Sequence, residues 1–298
     1  MSLPSYVLIT PVRNEEGYIE QTIQSVLRQT HRPDRWIIVN DASTDGTDRI
    51  VRRYADSTPW IELVQMDDRR ERNFASQVYA SNAGYDRVRG HGSEFVGVLD
   101  ADITFEPTYY EKLIERTAQD AGLGITGGAV IDVYGDRCIE SRAGSEDHHV
   151  AGGVQLFRRA CYEDIGGYVP MKYGGQDVAA EVTARMKGWR VRTFPDIKAY
   201  HHKPMGEDGH TGVRYGFSEG IRNHSLGTHP VYQAARCLHK VIRDGQGGMQ
   251  VVALAGYAFG WCLGVHRPVS KEFVAYLRRE QMDRLRARLR RPARSGTG

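Results

Sequence analysis

The stretch "VGVLDADITF", residues 96–105, sets an apolar run against two carboxylates separated by one residue. In an extended chain residues i and i+2 point the same way, so Asp100 and Asp102 leave the strand on one side, with Cα atoms roughly 6 to 7 Å apart. Two like charges that close call for a cation or a proton to share. The run "FVGVL" reads as a buried strand, which puts both carboxylates at its C-terminal end.

Upstream, the β-branched runs "YVLIT" (6–10), "WIIVN" (36–40) and "IELVQ" (61–65) alternate with helix-like segments near 18–29, 45–55 and 74–88. Strand, helix, strand at this spacing is the βαβ signature, and continuously apolar strands suit a parallel sheet covered on both faces. The expected fold is therefore α/β and doubly wound. In such sheets ligands sit beyond the carboxyl ends of the strands. The informative residues are then "PVRNEE", "DASTDGT" and "DAD", which should converge on one crevice.

A dinucleotide site is excluded at the first strand, because "TPVRNEEG" has no G-x-G-x-x-G, and no G-x-x-x-x-G-K-[ST] phosphate loop occurs in the chain. Asn14 is expected to cap the first helix, with Glu15 and Glu16 in its first turn. Ser43 or Thr44 is expected to cap the second, which leaves Asp41 at the strand end to accept hydrogen bonds from a ligand.

Six ordered motifs across residues 5–205 resemble the family 2 glycosyltransferases of GT-A fold: "VLITPVRNEEGYIEQTIQSVLRQT", "IIVNDASTDGT", "NFASQVYASNAGYD", "VLDADITFEP", "GGVQLFRRACYEDIGGY" and "GGQDVAAEVTARMKGWRV". A lone D-x-D is weak, whereas the order and spacing of all six are specific. The resemblance implies a mixed sheet with a nucleotide-binding half and an acceptor half, and an inverting transfer from a nucleotide sugar.

Carried over residue by residue, the resemblance implies that Pro11, Arg13 and Glu15 line the nucleotide pocket and that Asp41 accepts from the base. It implies that Asn82 and Gly84 lie beside the donor, and that Asp100, with Ala101 next to it, sits near the ribose and sugar. Asp102 is the implied ligand of Mg²⁺ or Mn²⁺ on the diphosphate, and Asp177 the implied general base. His201 or His202, after the strand-like "VRTF", is an implied additional metal ligand; adjacent residues in a strand point opposite ways, so at most one should bind. Gln176 stands where the family commonly carries glutamate, and Asn40 replaces the first of its usual aspartate pair. Plain alternatives remain on the residues alone: helix-cap and turn roles for Asp100, Asp102, Asp41 and Asp177, and a surface histidine pair.

With 298 residues and 40% hydrophobic content the chain can bury one large domain plus an appendage, and 26% charged residues suit a soluble protein. A net charge of +3 is too mild to argue for nucleic acid. Cys138, Cys161, Cys237 and Cys262 form no C-x-x-C pair and read as free thiols. The start, "MSLPSYVLIT", lacks the layout of a signal peptide, and the expected location is the cytoplasm. Residues 135–150, "GDRCIESRAGSEDHHV", are expected to form a loop near the acceptor.

The division expected is a transferase domain over 1–205 and a helical region over 206–298. In the latter, "RYGFSEGIRNHSLG" and "HPVYQAARCLHKVIRDG" look helical, and 249–265 has no formal charge. That segment suits a buried or interfacial helix better than a span. Eight arginines from Arg278 to Arg294 follow, with only Glu272, Glu280 and Asp283 against them. An apolar segment beside a polybasic one predicts peripheral contact with the inner face of a membrane and a glycan or lipid-linked acceptor. Two rivals are a sugar-phosphate nucleotidyltransferase, which calls for a glycine-rich loop that "PVRNEEG" does not supply, and a catalytically silent carbohydrate-binding protein.

Overall fold

The structure, a computed structural model, describes residues 3–67, 73–135, 137–140, 148–203, 212–244 and 247–290. The chain divides into two compact units, Met1–Lys172 with Gln176–Glu207, and Tyr173–Gly175 with Asp208–Gly298.

The first unit opens with β1 (Tyr6–Val12), α1 (Ile19–Leu27), β2 (Arg35–Asn40), α2 (Thr47–Ser57), β3 (Ile61–Gln65), α3 (Ala75–Val88) and β4 (Phe95–Leu99), the elements that the apolar runs predict. β1 lies parallel to both β2 and β4, and β2 parallel to β3. Every residue of β4 is buried, as an inner parallel strand requires. Pro11 is tolerated in β1 because the pairing with β4 ends at Ile9. Trp36 is fully buried and satisfies its indole N–H on Thr10 Oγ1 at 2.9 Å.

The unit continues through β5 (Ile103–Phe105), α4 (Tyr109–Ala118), β6 (Leu123–Tyr134), β7 (Arg137–Glu140), β8 (Val154–Arg158), α5 (Arg159–Ile165), α6 (Gln176–Met186) and β9 (Arg190–His201). The sheet runs β3-β2-β1-β4-β8-β6-β9-β5, with β7 on β6. β8 is antiparallel to β4 and β6, β9 is parallel to β6, and β5 antiparallel to β9, so the sheet is mixed. Part of the loop expected after residue 135 is the strand β7; residues 141–147 lie outside the described residues.

Two expected helix caps are corrected. Asn14 does not cap α1, which starts five residues later at Ile19; its backbone is left-handed, with φ at 53°. Ser43 and Thr44 do not cap α2, which starts at Thr47; Asp45 Oδ1 instead accepts from the Thr47 N–H at 3.0 Å.

The second unit holds α7 (Gly212–Ser225), α8 (Pro230–Asp244), α9 (Gly247–Cys262) and α10 (Lys271–Arg290). α7 and α9 meet backbone to backbone: a Cβ on Gly220 would lie 2.1 Å from the Ala253 carbonyl oxygen, and one on Gly256 would lie 2.1 Å from that of Phe217. Among the described residues no helix is long and apolar enough to cross a membrane. α9 buries Ala253, Gly256 and Tyr257 and exposes Val251, Leu254 and Phe259. Arg291 and Arg294 of the arginine run lie outside the described residues.

Candidate active site

The loops after β1 and β2 are stitched to one another. Arg13 Nη1 donates to the carbonyl oxygens of Asp41 at 2.5 Å and Ala42 at 2.9 Å. Asn14 Oδ1 accepts from the Thr44 N–H at 2.8 Å, and the Glu15 N–H donates to Thr47 Oγ1 at 2.8 Å. Ala42 is left-handed, with φ at 51°, a conformation that costs a residue with a Cβ roughly 1 kcal/mol. These contacts hold Pro11, Arg13, Glu15 and the buried Asp41 at neighbouring strand ends. Lys203 Nζ, just past β9, reaches Glu15 Oε1 at 3.0 Å.

At the end of β4 the chain turns sharply into β5. Thr22 Oγ1 on α1 donates to the Ala101 carbonyl at 2.7 Å and pins this turn from below. Asp102 is buried, and strand register supplies its neighbour: His201 on β9 pairs with Ile103 of β5 on one side and Asp132 of β6 on the other. His201 Nε2 therefore lies 3.2 Å from Asp102 Oδ2, while its Nδ1 lies 2.8 Å from Asp132 Oδ1. Burial alone would lower the imidazole, but the two carboxylates outweigh it and raise it to about 9. The other oxygen, Asp102 Oδ1, is buried and has no hydrogen-bond partner among the described residues.

His202 is turned away from this pair. Its Nε2 lies 2.7 Å from Thr104 Oγ1, and its backbone N–H donates to the Asp102 carbonyl oxygen. Burial lowers its imidazole.

Asp177 stands in the first turn of α6. Two adjacent glycines lie between it and Asp100: a Cβ on Gly152 would fall 3.1 Å from Asp177 Oδ2, and one on Gly153 would fall 2.6 Å from Asp100 Oδ2. The segment is held by Glu181, one turn beyond Asp177, which accepts from the Val150 N–H at 2.7 Å and from Gln155 Nε2 at 3.2 Å. Burial raises the Glu181 carboxyl. Asp100 Oδ1 accepts from Gln77 Nε2 at 2.9 Å. The sequence reading names none of Gln77, Asp132 and Glu181; only Glu181 leaves a signal, its i+4 spacing from Asp177.

Asn82 lies half-buried on α3. Gly84, on the same helix, faces the sheet, where a Cβ would come 2.6 Å from Ile9 Cγ2 and 3.1 Å from Val39 Cγ2. Close helix–sheet approach thus accounts for that glycine.

Comparison with known proteins bears on the whole arrangement. The chain is 34% identical over 112 residues to TuaG of Bacillus subtilis, a glycosyltransferase provisionally named for teichuronic acid biosynthesis, covering 38% of this chain and 41% of that protein. It is 24% identical over 221 residues to the glycosyltransferase AglE of Haloferax volcanii, covering 69% of this chain and 70% of that protein. Alignments to the curated relatives span from 28% to 70% of those proteins' own lengths. Among solved structures, the mannosyltransferase PcManGT of Pyrobaculum calidifontis, in complex with GDP-Man and Mn²⁺, superposes with a TM-score of 0.58 at 20% identity, covering 98% of this chain and 82% of that one. This likeness is one of fold, the GT-A fold. The family described as Glycosyl transferase family 2 matches residues 7–166, more than half of the chain, and the chain belongs to that family.

Proposed function

We propose that this chain moves a sugar from a nucleoside-diphosphate sugar, a UDP-sugar in first place, to a hydroxyl of a glycan or lipid-linked acceptor, with inversion at the anomeric carbon. The observation that carries the reading is the placement of Asp100 and Asp177 on either side of Gly152–Gly153, with Asp102 and His201 joined at the end of β4. The names of the relatives support a role in polysaccharide or glycolipid biosynthesis.

In this reading Pro11, Arg13, Glu15 and Asp41 receive the nucleotide, with Asn82 on α3 beside it. Asp100 and Ala101 face the ribose and sugar. The residues also fit a hard divalent cation. Asp102 Oδ1 is an orphaned buried carboxylate oxygen, and His201 stands at the other oxygen. Among the described residues no three His, Cys, Asp or Glu side chains form a cation cage. A cage is not required, since Mg²⁺ is commonly held by one or two carboxylates together with substrate phosphates. Asp102 would hold it, together with His201 once the cation displaces the Nε2 proton, with His202 the less suited neighbour, and the bound ion would supply positive charge against the departing diphosphate.

Asp177 accepts the proton of the acceptor hydroxyl as its oxygen forms the new bond to the anomeric carbon. The bond from that carbon to the diphosphate oxygen breaks, and the electron pair leaves with the nucleoside diphosphate. Residues 1–205 carry this chemistry, and the helical region 206–298 brings the enzyme to the cytoplasmic face of a membrane.

The test is a panel of UDP-, GDP- and dTDP-sugars, titrated with and without Mn²⁺ and followed by proton NMR of the product's anomeric centre. Metal-dependent binding and an inverted product are expected. Failure of every donor to bind, or a retained configuration, overturns the reading.

A further inference from the structure

We infer that Gln77 and Gln176 form an amide relay that orients Asp100 and leaves the Gln176 carbonyl oxygen as a hydrogen-bond acceptor for a substrate hydroxyl beside Asp177. The identity of that substrate rests on the transferase reading; the relay geometry stands apart from it.

Hydrogen-bond polarity fixes the chain of contacts. An ionised carboxylate can only accept, so the group that Gln77 presents to Asp100 Oδ1 at 2.9 Å must be its NH₂. That choice turns Gln77 Oε1 the other way, toward Gln176, where an oxygen can only accept. Gln176 must then present its own NH₂, and Gln176 Nε2 lies 3.1 Å from Gln77 Oε1. One carboxylate thus sets the orientation of two amides, 99 residues apart in sequence.

The polarity leaves one atom over. Gln176 Oε1 is buried and has no hydrogen-bond partner among the described residues. Buried amide oxygens are rarely left so, because the lost hydration is not replaced. Gln176 opens α6 and immediately precedes Asp177, so this unsatisfied acceptor lies in the same helical turn as the proposed base. Asp100 is confined on its other oxygen too, since Oδ2 sits against Gly153.

The relay also gives a physical meaning to the unusual residue at 176. A glutamate there could offer only acceptors to Gln77, which would have to turn its NH₂ toward position 176. Its carbonyl oxygen would then face the Asp100 carboxylate, two acceptors together. Positions 77 and 176 are therefore coupled, and Gln176→Glu, nearly unchanged in shape, should act on Asp100 without touching it.

The experiment uses the full chain with Gln77→Ala, Gln176→Ala, the double variant and Gln176→Glu. Donor affinity is titrated with UDP-GlcNAc and GDP-mannose, and with UDP and GDP, all in Mn²⁺. Each single variant should weaken the bound nucleotide sugar about tenfold, the order of one hydrogen bond to a charged group, and weaken the nucleoside diphosphate, which keeps only the ribose beside Asp100, by less. The double variant should be no worse than the poorer single one. Additive losses, or Gln176→Glu at the parent affinity, overturn the relay. Nitrogen-15 spectra of the unliganded chain test the geometry independently: the Gln77 side-chain amide pair should move in Gln176→Glu. If the parent binds neither sugar nucleotide, that counts against the transferase reading, and an unmoved Gln77 amide pair alone then overturns the relay.

Discussion

His201 stands between two carboxylates, 3.2 Å from Asp102 through Nε2 and 2.8 Å from Asp132 through Nδ1. Asp132 is buried and aligned with His201 across the β6–β9 ladder, so it fixes the ring that faces Asp102. Outer partners of this kind commonly set metal affinity by 10- to 100-fold, and Asp132→Asn should weaken Mn²⁺ by about that factor. Asp102→Asn should abolish metal-dependent binding of UDP-sugars. Calorimetry with Mn²⁺ and with EDTA is the measurement, and equal donor affinity in both rejects the metal role.

Asp177→Asn should keep donor binding and cut turnover by about 10² to 10⁴, the usual size of a general-base contribution. Single-turnover transfer beside donor calorimetry separates the two effects. A variant that transfers at the parent rate, or loses donor affinity in proportion, removes Asp177 from the base position.

Gly153→Ala tests the close approach beneath Asp100. The new Cβ would fall 2.6 Å from Asp100 Oδ2 and 2.8 Å from Ile103 Cδ1, distances that force the carboxylate or the strand to shift. Overpacking of this kind costs about 1 to 3 kcal/mol. Loss of turnover should exceed what the lowered melting temperature explains. Parent activity in Gly153→Ala would show that Asp100 is free to move.

The strands were legible because continuous apolar runs bounded by polar clusters admit few other readings, as "FVGVL" ahead of "DAD" illustrates. The strand-end residues followed from topology alone. The helix caps did not, because Asn14 and Ser43 are good caps by type, but here Asn14 N donates to Ser43 Oγ at 3.1 Å across the crevice. Gln77 and Asp132 were equally hidden. Their partners lie 23 and 69 residues away, and nothing local in a glutamine on α3 or an aspartate on β6 announces them.

Glu219 on α7 gives the second unit an acid limit. Burial would raise its carboxyl, but Arg236, Lys240 and Arg222 together hold it below the ordinary 4.5. Arg236 Nη2 is 3.0 Å from Glu219 Oε1, and Lys240 Nζ is 3.5 Å from it. A carboxyl depressed on folding contributes stability above its unfolded value, and that contribution is lost as pH falls through the folded value. Stability should therefore fall below about pH 4.5. Glu219→Gln should flatten this limb and cost about 2 kcal/mol at pH 7, less than a fully buried pair because the cations are partly exposed. Urea titrations at pH 3 to 7 measure both, and an unchanged acid limb in the variant refutes the assignment.

The helical unit bears on where the enzyme works. α8 exposes Val231, Leu238 and Ile242 along one stripe, and α9 exposes Val251, Leu254 and Phe259, followed by Trp261 at 70% exposure and Leu263. We propose that these exposed apolar groups form an interaction surface, as large apolar patches do. α10 adds exposed cations at Lys271, Arg279, Arg286 and Arg288. An apolar surface and a polybasic helix together can hold a protein at an anionic bilayer where either alone binds marginally. An enzyme whose acceptor stays in the membrane gains residence time from such contact. The chain should co-sediment with phosphatidylglycerol-containing vesicles more than with phosphatidylcholine alone. The difference should shrink in about 0.5 M salt, where charges are screened within a few ångströms. Trp261→Glu combined with Leu263→Glu should release it from both vesicle types without lowering transfer to a soluble acceptor. Equal binding to both vesicles and no loss in the double variant would assign the surface elsewhere. A dimer in gel filtration that the same variant breaks would identify a second copy as its occupant.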